Sequence, residues 1–186
     1  MRIPAILAVV LFASTLAVAE TPEWALAKGE HVGGFFRLGL WGTPAAKLEY
    51  NAPAGGTTSV NEGSIIRVLA GWSVAPGVAL HVTLLDLLLP EDEGMMAFAW
   101  GPGATVYGPA NTFATATVGF SPASVDGTGH PSGWRWTLGV GKEFQIWPNA
   151  GMGAMLTWDC GSWEDFDSKE EWTLGGPGFQ FTWTVN

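Results

Sequence analysis

Arg135 and Asp159 each stand twelve residues from Trp147, within the turn-forming run Trp147-Pro148-Asn149. A hairpin folded about that turn sets a guanidinium opposite a carboxylate. Because a buried arginine without a partner is costly, the expected chemistry is a structural salt bridge rather than a ligand site. Arg37, Arg67, His81, Glu143 and Gln180 are the expected extensions of that network. Acidic side chains gather elsewhere, in Glu91-Asp92-Glu93 and in Glu164, Asp165, Asp167, Glu170 and Glu171. Clustered carboxylates bind Ca²⁺ or Mg²⁺, but the EF-hand spacing with its required glycine is missing, so a solvated loop is expected. His31, His81 and His130 have no zinc spacing, Cys160 stands alone, and no P-loop or dinucleotide fingerprint occurs. No catalytic residue, cofactor or metal is therefore expected.

Those charges must be held by something unlike an ordinary soluble domain. Of 186 residues only 13% are charged, about half the usual share, while 26 are Gly and 11 are Trp. Positive mean hydropathy excludes disorder. With a formal charge of -9 and no basic patch, nucleic acid is not a partner. Met1 and Arg2, the apolar run from Ile3 to Leu16 and the small residues Ala17-Val18-Ala19 read as a signal peptide over 1–19. Cleavage before Glu20 removes Arg2, takes the charge to -10 and leaves roughly 167 residues, one domain. After a short periplasmic segment, 20–31, that domain occupies 32–186. One cysteine allows no intramolecular disulfide, so packing and hydrogen bonds must hold it.

Aromatic and β-branched residues alternate with small ones, and beyond the signal segment no 3.6-residue pattern appears. The chain reads as all-β, with eight strands at about 32–42, 64–74, 78–88, 95–107, 112–120, 133–144, 150–160 and 172–185. Short turns rich in Pro, Gly and Asn join the second to the third, the fourth to the fifth and the sixth to the seventh. Connections over 43–63, 89–94, 121–132 and 161–171 are mostly longer. Short turns at one end, longer loops at the other and an even strand number describe an antiparallel up-and-down transmembrane barrel with both termini at the short-turn end.

Within the strands one parity is large and apolar. Trp134, Trp136, Leu138 and Val140 alternate with Arg135, Thr137, Gly139 and Gly141, and Phe179, Phe181 and Trp183 alternate with Gly178, Gln180 and Thr182. A water-facing sheet would carry Lys and Glu on its polar parity. Here that parity is Gly, Thr, Ala and Ser with isolated Arg37, Arg67, Arg135, Glu143 and Asp159, which suits the crowded lumen of an eight-stranded barrel. The large apolar residues then face lipid. Tracing the chain up and down puts Trp72, Trp147 and Trp183 near the short turns and Trp41, Trp134, Trp158 and Trp172 near the long loops, as two aromatic girdles. Trp100 falls mid-strand. Leu84-Leu85-Asp86-Leu87-Leu88 breaks the alternation, and the upper end of that strand is expected to leave the lipid region.

Three stretches then carry a family resemblance: Trp72-Ser73-Val74-Ala75-Pro76-Gly77-Val78-Ala79-Leu80-His81, Gly101-Pro102-Gly103-Ala104-Thr105-Val106-Tyr107 and Gly139-Val140-Gly141-Lys142-Glu143-Phe144. They resemble small outer-membrane β-barrel proteins of Gram-negative bacteria, especially those of myxobacteria. Gly178-Phe179-Gln180-Phe181-Thr182-Trp183 is similar to the carboxyl-terminal signal read by the barrel-insertion machinery, although Val185-Asn186 replaces the usual aromatic end. That resemblance implies outer-membrane localisation with periplasmic termini, lipid and lipopolysaccharide as surroundings, the insertion machinery as a transient partner, and a monomer. His130-Pro131-Ser132 with Glu143 is also similar to the His-x-Ser and carboxylate set of the eight-stranded lipid A deacylase family, in which His activates Ser for ester hydrolysis. The expected role is structural or surface-interactive. Alternatives are a narrow pore, a soluble secreted ligand-binding barrel, and a lipid A-modifying hydrolase.

Overall fold

A computed structural model describes residues 33–40, 47–51, 57–61, 63–90, 95–125, 130–167 and 169–185. The expected signal peptide, the segment 20–31, Trp41 and Glu91-Asp92-Glu93 lie outside the described residues. Ten strands occur: β1 Gly34–Leu40, β2 Lys47–Asn51, β3 Thr57–Asn61, β4 Gly63–Ala75, β5 Val78–Pro90, β6 Met95–Tyr107, β7 Thr112–Val125, β8 Ser132–Trp147, β9 Ala150–Glu164 and β10 Glu171–Val185. Antiparallel pairing runs from β4 to β10 in chain order, and β1 joins β4 on one side and β10 on the other. The barrel is closed, so these strands expose no edge.

Its staves number eight, because β2 and β3 prolong β1 and β4. Phe36 to Leu40 face Val185 to Phe181 of β10, and Lys47 to Asn51 take up the same strand again, from Gly175 to Glu171, after a one-residue shift. In turn β3 pairs with β2. The connection expected over 43–63 thus contains a hairpin extension. With seven residues β1 is too short to cover β10, and the alternating stretch Lys47-Leu48-Glu49-Tyr50 supplies the missing ladder partner.

At the other end the expected turns appear. Pro76-Gly77 joins β4 to β5 with Gly77 at φ 72°, a single 3₁₀ turn at Pro109–Asn111 joins β6 to β7, and Pro148-Asn149 joins β8 to β9. The strands run further than the sequence suggests, β7 to Val125, β8 to Trp147 and β9 to Glu164, so the loops after β7 and β9 shrink to 126–131 and 165–170. A strand needs about 9–11 residues to cross a bilayer. Staves of 13 to 16 residues are long enough to do so.

The direction of the two faces is unambiguous. Trp134 is 63% exposed while Arg135 is 1% exposed, and the same alternation continues along β8, β9 and β10. The alternative of a soluble barrel needs the opposite arrangement, with the apolar side chains inside. Small inner residues are a packing requirement: a Cβ at Gly139 would come within 2.6 Å of Met155 Sδ, and one at Gly141 within 2.5 Å of Phe113 Cζ. Strand β5 continues in the wall to Pro90, and the break in its alternation is a bulge between Thr83 and Asp86 that leaves Leu84 exposed and turns Asp86 and Leu88 into the interior.

Candidate functional site

The lumen is filled in layers. Nearest the short turns, Arg37 of β1 reaches across to Glu143 of β8, with Nη2 and Oε1 2.8 Å apart. Its Nη2 also donates to the Tyr107 hydroxyl at 2.7 Å and its Nε to Thr184 Oγ1 at 3.0 Å, while Thr184 donates to Glu143 at 2.6 Å. The guanidinium carbon sits 4.2 Å from the centre of the Phe113 ring. One charge pair is thereby enclosed by an aromatic face and two hydroxyls, which lowers the cost of holding it away from water.

Above it, uncharged side chains fill the next level. His81 Nδ1 lies 3.4 Å from Thr105 Oγ1 and Thr105 donates to Thr115 at 3.1 Å, with Met155 beside Thr115 at Gly139; Leu69 and Gln180 are buried as well. His81 and Gln180 are in the lumen, but neither enters an ion pair among the described residues.

Higher still, two arginines and two aspartates form an alternating ring. Arg67 of β4 holds Asp86 of β5 and Asp159 of β9, each at 2.8 Å. Arg135 of β8 holds the same two carboxylates at 3.1 and 3.3 Å. Asp159 also accepts hydrogen bonds from Thr137 at 2.5 Å and Thr157 at 2.9 Å, so both of its oxygens are engaged. Four formal charges cancel within the ring, and four separate staves are tied across the interior.

Arg135 and Asp159 meet diagonally, not face to face. Gly161 lies opposite Arg135, and Thr137 opposite Asp159, because the turn is centred on Pro148-Asn149 and a register shift falls between Gln145 and Trp147. Diagonal neighbours remain within reach of a long side chain. Asp86 has no place in the expected network, and the bulge explains why: simple alternation from Leu80 would put it on the lipid side. Its warning sign was a lone carboxylate among four leucines. Tyr107 and Thr184 are partners that no local pattern marks, since their bonds to Arg37 join strands distant in sequence, whereas Thr137 and Thr157 meet Asp159 from the adjacent strand and from its own.

The end beneath the loops is apolar. Ile65, Leu88, Ala97, Ala123, Trp163, Trp172 and Leu174 form one buried cluster, and the Trp163 indole N–H donates to Ser121 Oγ at 2.9 Å. Trp172 thus departs from its expected girdle position. It is 3% exposed and points inward, since it shares the parity of Leu174, Gln180 and Thr182 on β10. Trp163, on the inward parity of β9 with Asp159, lies opposite it.

On the outer wall Trp72, Trp147 and Trp183 lie toward the short turns, and Trp134 and Trp158 toward the loops, all exposed. Trp100 joins the loop-side group: it lies opposite Phe120, and Phe120 opposite Trp134, with edge-on ring contacts at 6.3 and 6.1 Å. Strand tilt carries a mid-strand residue to that level.

The hydrolase set does not assemble. Ser132 begins β8 and Glu143 lies eleven positions along the same strand, roughly 35 Å away at 3.3 Å per residue. Glu143 is committed to Arg37, and the His130 backbone N–H donates to Asp165 in the loop at 3.3 Å.

No protein-family model matches the chain, and no curated protein matches it in sequence. Among solved structures it is similar to Neisserial surface protein A, with a TM-score of 0.55 and 13% identity over 82% of this chain and 96% of that one. OprG from Pseudomonas aeruginosa follows at 0.49 and 10%, over 83% and 97%, and Ail of Yersinia pestis at 0.42 and 11%, over 82% and 99%. These likenesses do not bear on the narrower resemblance to myxobacterial barrels. Closed, antiparallel and almost all strand, the chain has the fold of the eight-stranded outer-membrane β-barrels.

Proposed function

We propose that this protein resides in a bacterial outer membrane as a non-conducting barrel and works through its loop end, in envelope integrity or in contacts with lipopolysaccharide or another surface. The filled lumen carries this reading. Two salt-bridged layers and a tryptophan-capped apolar layer cross the interior, so the part of the molecule able to meet a partner is outside it. Strands β9 and β10 are joined by the acidic turn 165–170, whose backbone is held by Asp165: the N–H of Asp167 donates to its carboxylate at 2.9 Å and the N–H of Lys169 to its carbonyl at 2.9 Å. A built turn on a rigid stave suits recognition better than a solvated tether. Neisserial surface protein A is, by its name, also a surface protein. The signal-peptide pattern, the girdle of tryptophans and the carboxyl-terminal aromatic pattern support export, lipid contact and insertion with periplasmic termini.

Fractionation of expressing cells, a detergent gel with and without boiling, and planar-bilayer recording test the proposal together. A heat-dependent mobility shift in the outer-membrane fraction with no stepwise conductance is expected. Steady conductance from the folded species would replace this reading with that of a narrow pore.

A further inference from the structure

Lys142 is exposed on the outer wall, whereas Arg37, Arg67 and Arg135 are buried and Lys169 lies in the loop after β9. Lys142 has no carboxylate within ion-pair distance among the described residues. Thr112 of β7 and Ala154 of β9 lie opposite it on its two neighbouring strands, beside the short turn that joins β6 to β7. Its ammonium lies 5.5 Å from the centre of the Phe144 ring, two residues nearer the hairpin tip, so the charge is drawn toward the short-turn face of the membrane.

From Lys142 a hollow runs up the wall across β6 to β9. Two adjoining depressions of about 670 and 570 Å³ share Val106, Ala114, Val140 and Leu156, the first reaching Lys142 and Thr112, the second Leu138 and Trp158. Alanines make its floor, at 104, 114, 116 and 154, where the surrounding wall carries Val, Leu, Trp and Phe. Lys142 to Leu138 is four residues, about 13 Å of strand. Half of a ~30 Å hydrocarbon core is about that depth.

We infer that this groove binds one anionic phospholipid of the short-turn leaflet, its phosphate against Lys142 and one acyl chain along the alanine floor. Charge decides the class. In a protein of net charge -9 Lys142 is a cation on the wall with no carboxylate in ion-pair reach among the described residues, and at the level of the headgroups the groups that reach it are those of lipids. Shape decides the position, since an apolar hollow facing hydrocarbon gains dispersion contacts only when a chain fills it. The site rests on the membrane residence proposed above and not on the surface role.

Native mass spectrometry of the folded full chain tests this, with equal amounts of phosphatidylglycerol and phosphatidylethanolamine of matched acyl chains. Retention of one phosphatidylglycerol, favoured about fivefold, is expected. Lys142→Gln should erase the preference, Lys142→Arg should keep it, and Ala114→Phe should reduce retention of both lipids, with the heat-dependent mobility shift confirming that each variant is folded. Equal retention by the wild type, or an unchanged preference in Lys142→Gln, overturns the site. A dimer that Ala114→Phe dissociates would assign the groove to a second copy of the chain and likewise overturn it.

Discussion

Arg67 of β4 and Asp159 of β9 are 92 positions apart in the chain and 2.8 Å apart in the lumen, joined as guanidinium Nη2 to carboxylate Oδ1. Two strands separate them one way around the wall and four the other, so the bond crosses the interior. Together with Asp86 and Arg135 it makes the barrel's midsection a closed circuit of charge.

Removing one member should therefore cost far more than removing a neutral pair. Asp159→Asn leaves Arg67 and Arg135 to share Asp86, and the expected loss is about 3–5 kcal/mol. Adding Arg135→Met to that variant should recover much of it, because Arg67 and Asp86 then remain as a neutral pair and no uncompensated charge is left buried. Urea unfolding in lipid vesicles measures both.

Trp163→Ala opens the apolar layer and removes the hydrogen bond to Ser121. A loss of about 3–5 kcal/mol is expected. Conductance in planar bilayers should stay absent, because the charge ring and the Arg37–Glu143 layer remain beneath. Channel activity in this variant would show that the apolar layer is the closure.

Neighbouring residues on β8 should respond to opposite kinds of change. Leu138→Lys places a charge against lipid and should destabilise the inserted barrel by about 2–4 kcal/mol, a change read from refolding into vesicles. Gly139→Val should prevent formation of the compact, heat-sensitive species on a detergent gel, since the first added carbon already meets Met155 Sδ and Thr115 Cγ2 at 2.6 and 3.0 Å.

Ser132→Ala should leave the cell's lipid A unchanged relative to the wild-type protein. Glu143 is roughly 35 Å away along the strand and bound to Arg37, so no carboxylate relay reaches the hydroxyl through it. Mass spectrometry of lipid A from overproducing cells checks this, and a mass difference that depends on Ser132 would revive the hydrolase reading.

Much of the fold was legible because a barrel of this kind repeats a local rule. Side chains alternate by two along every strand, and Trp134-Arg135-Trp136-Thr137 states the rule without any partner. Turn formers at Pro76-Gly77, Pro109-Ala110-Asn111 and Pro148-Asn149 mark the chain reversals equally locally. Where the rule is interrupted, legibility stopped. At Leu84-Leu85-Asp86 the bulge changes the parity, and nothing local says in which direction. Trp172 was assigned from its height in the traced chain, which cannot tell an outward residue from an inward one at the same level.

Its sequence alone determines this protein as an all-β chain of eight staves, with charges on the small-residue parity and large apolar residues on the other. Those are consequences of composition and of period two, and they need no long-range contact. Only the tertiary structure decides which charges meet. Closure brings β4 and β5 within reach of β8 and β9, joining Arg67 and Arg135 to both Asp86 and Asp159, and a bulge delivers Asp86 to the ring. Closure also lets Lys47–Asn51 continue the short first strand along β10, and it stacks Trp163 and Trp172 as the upper layer of the lumen. Registers between strands are collective properties of a closed sheet, set by how every neighbour packs, and no single strand carries them.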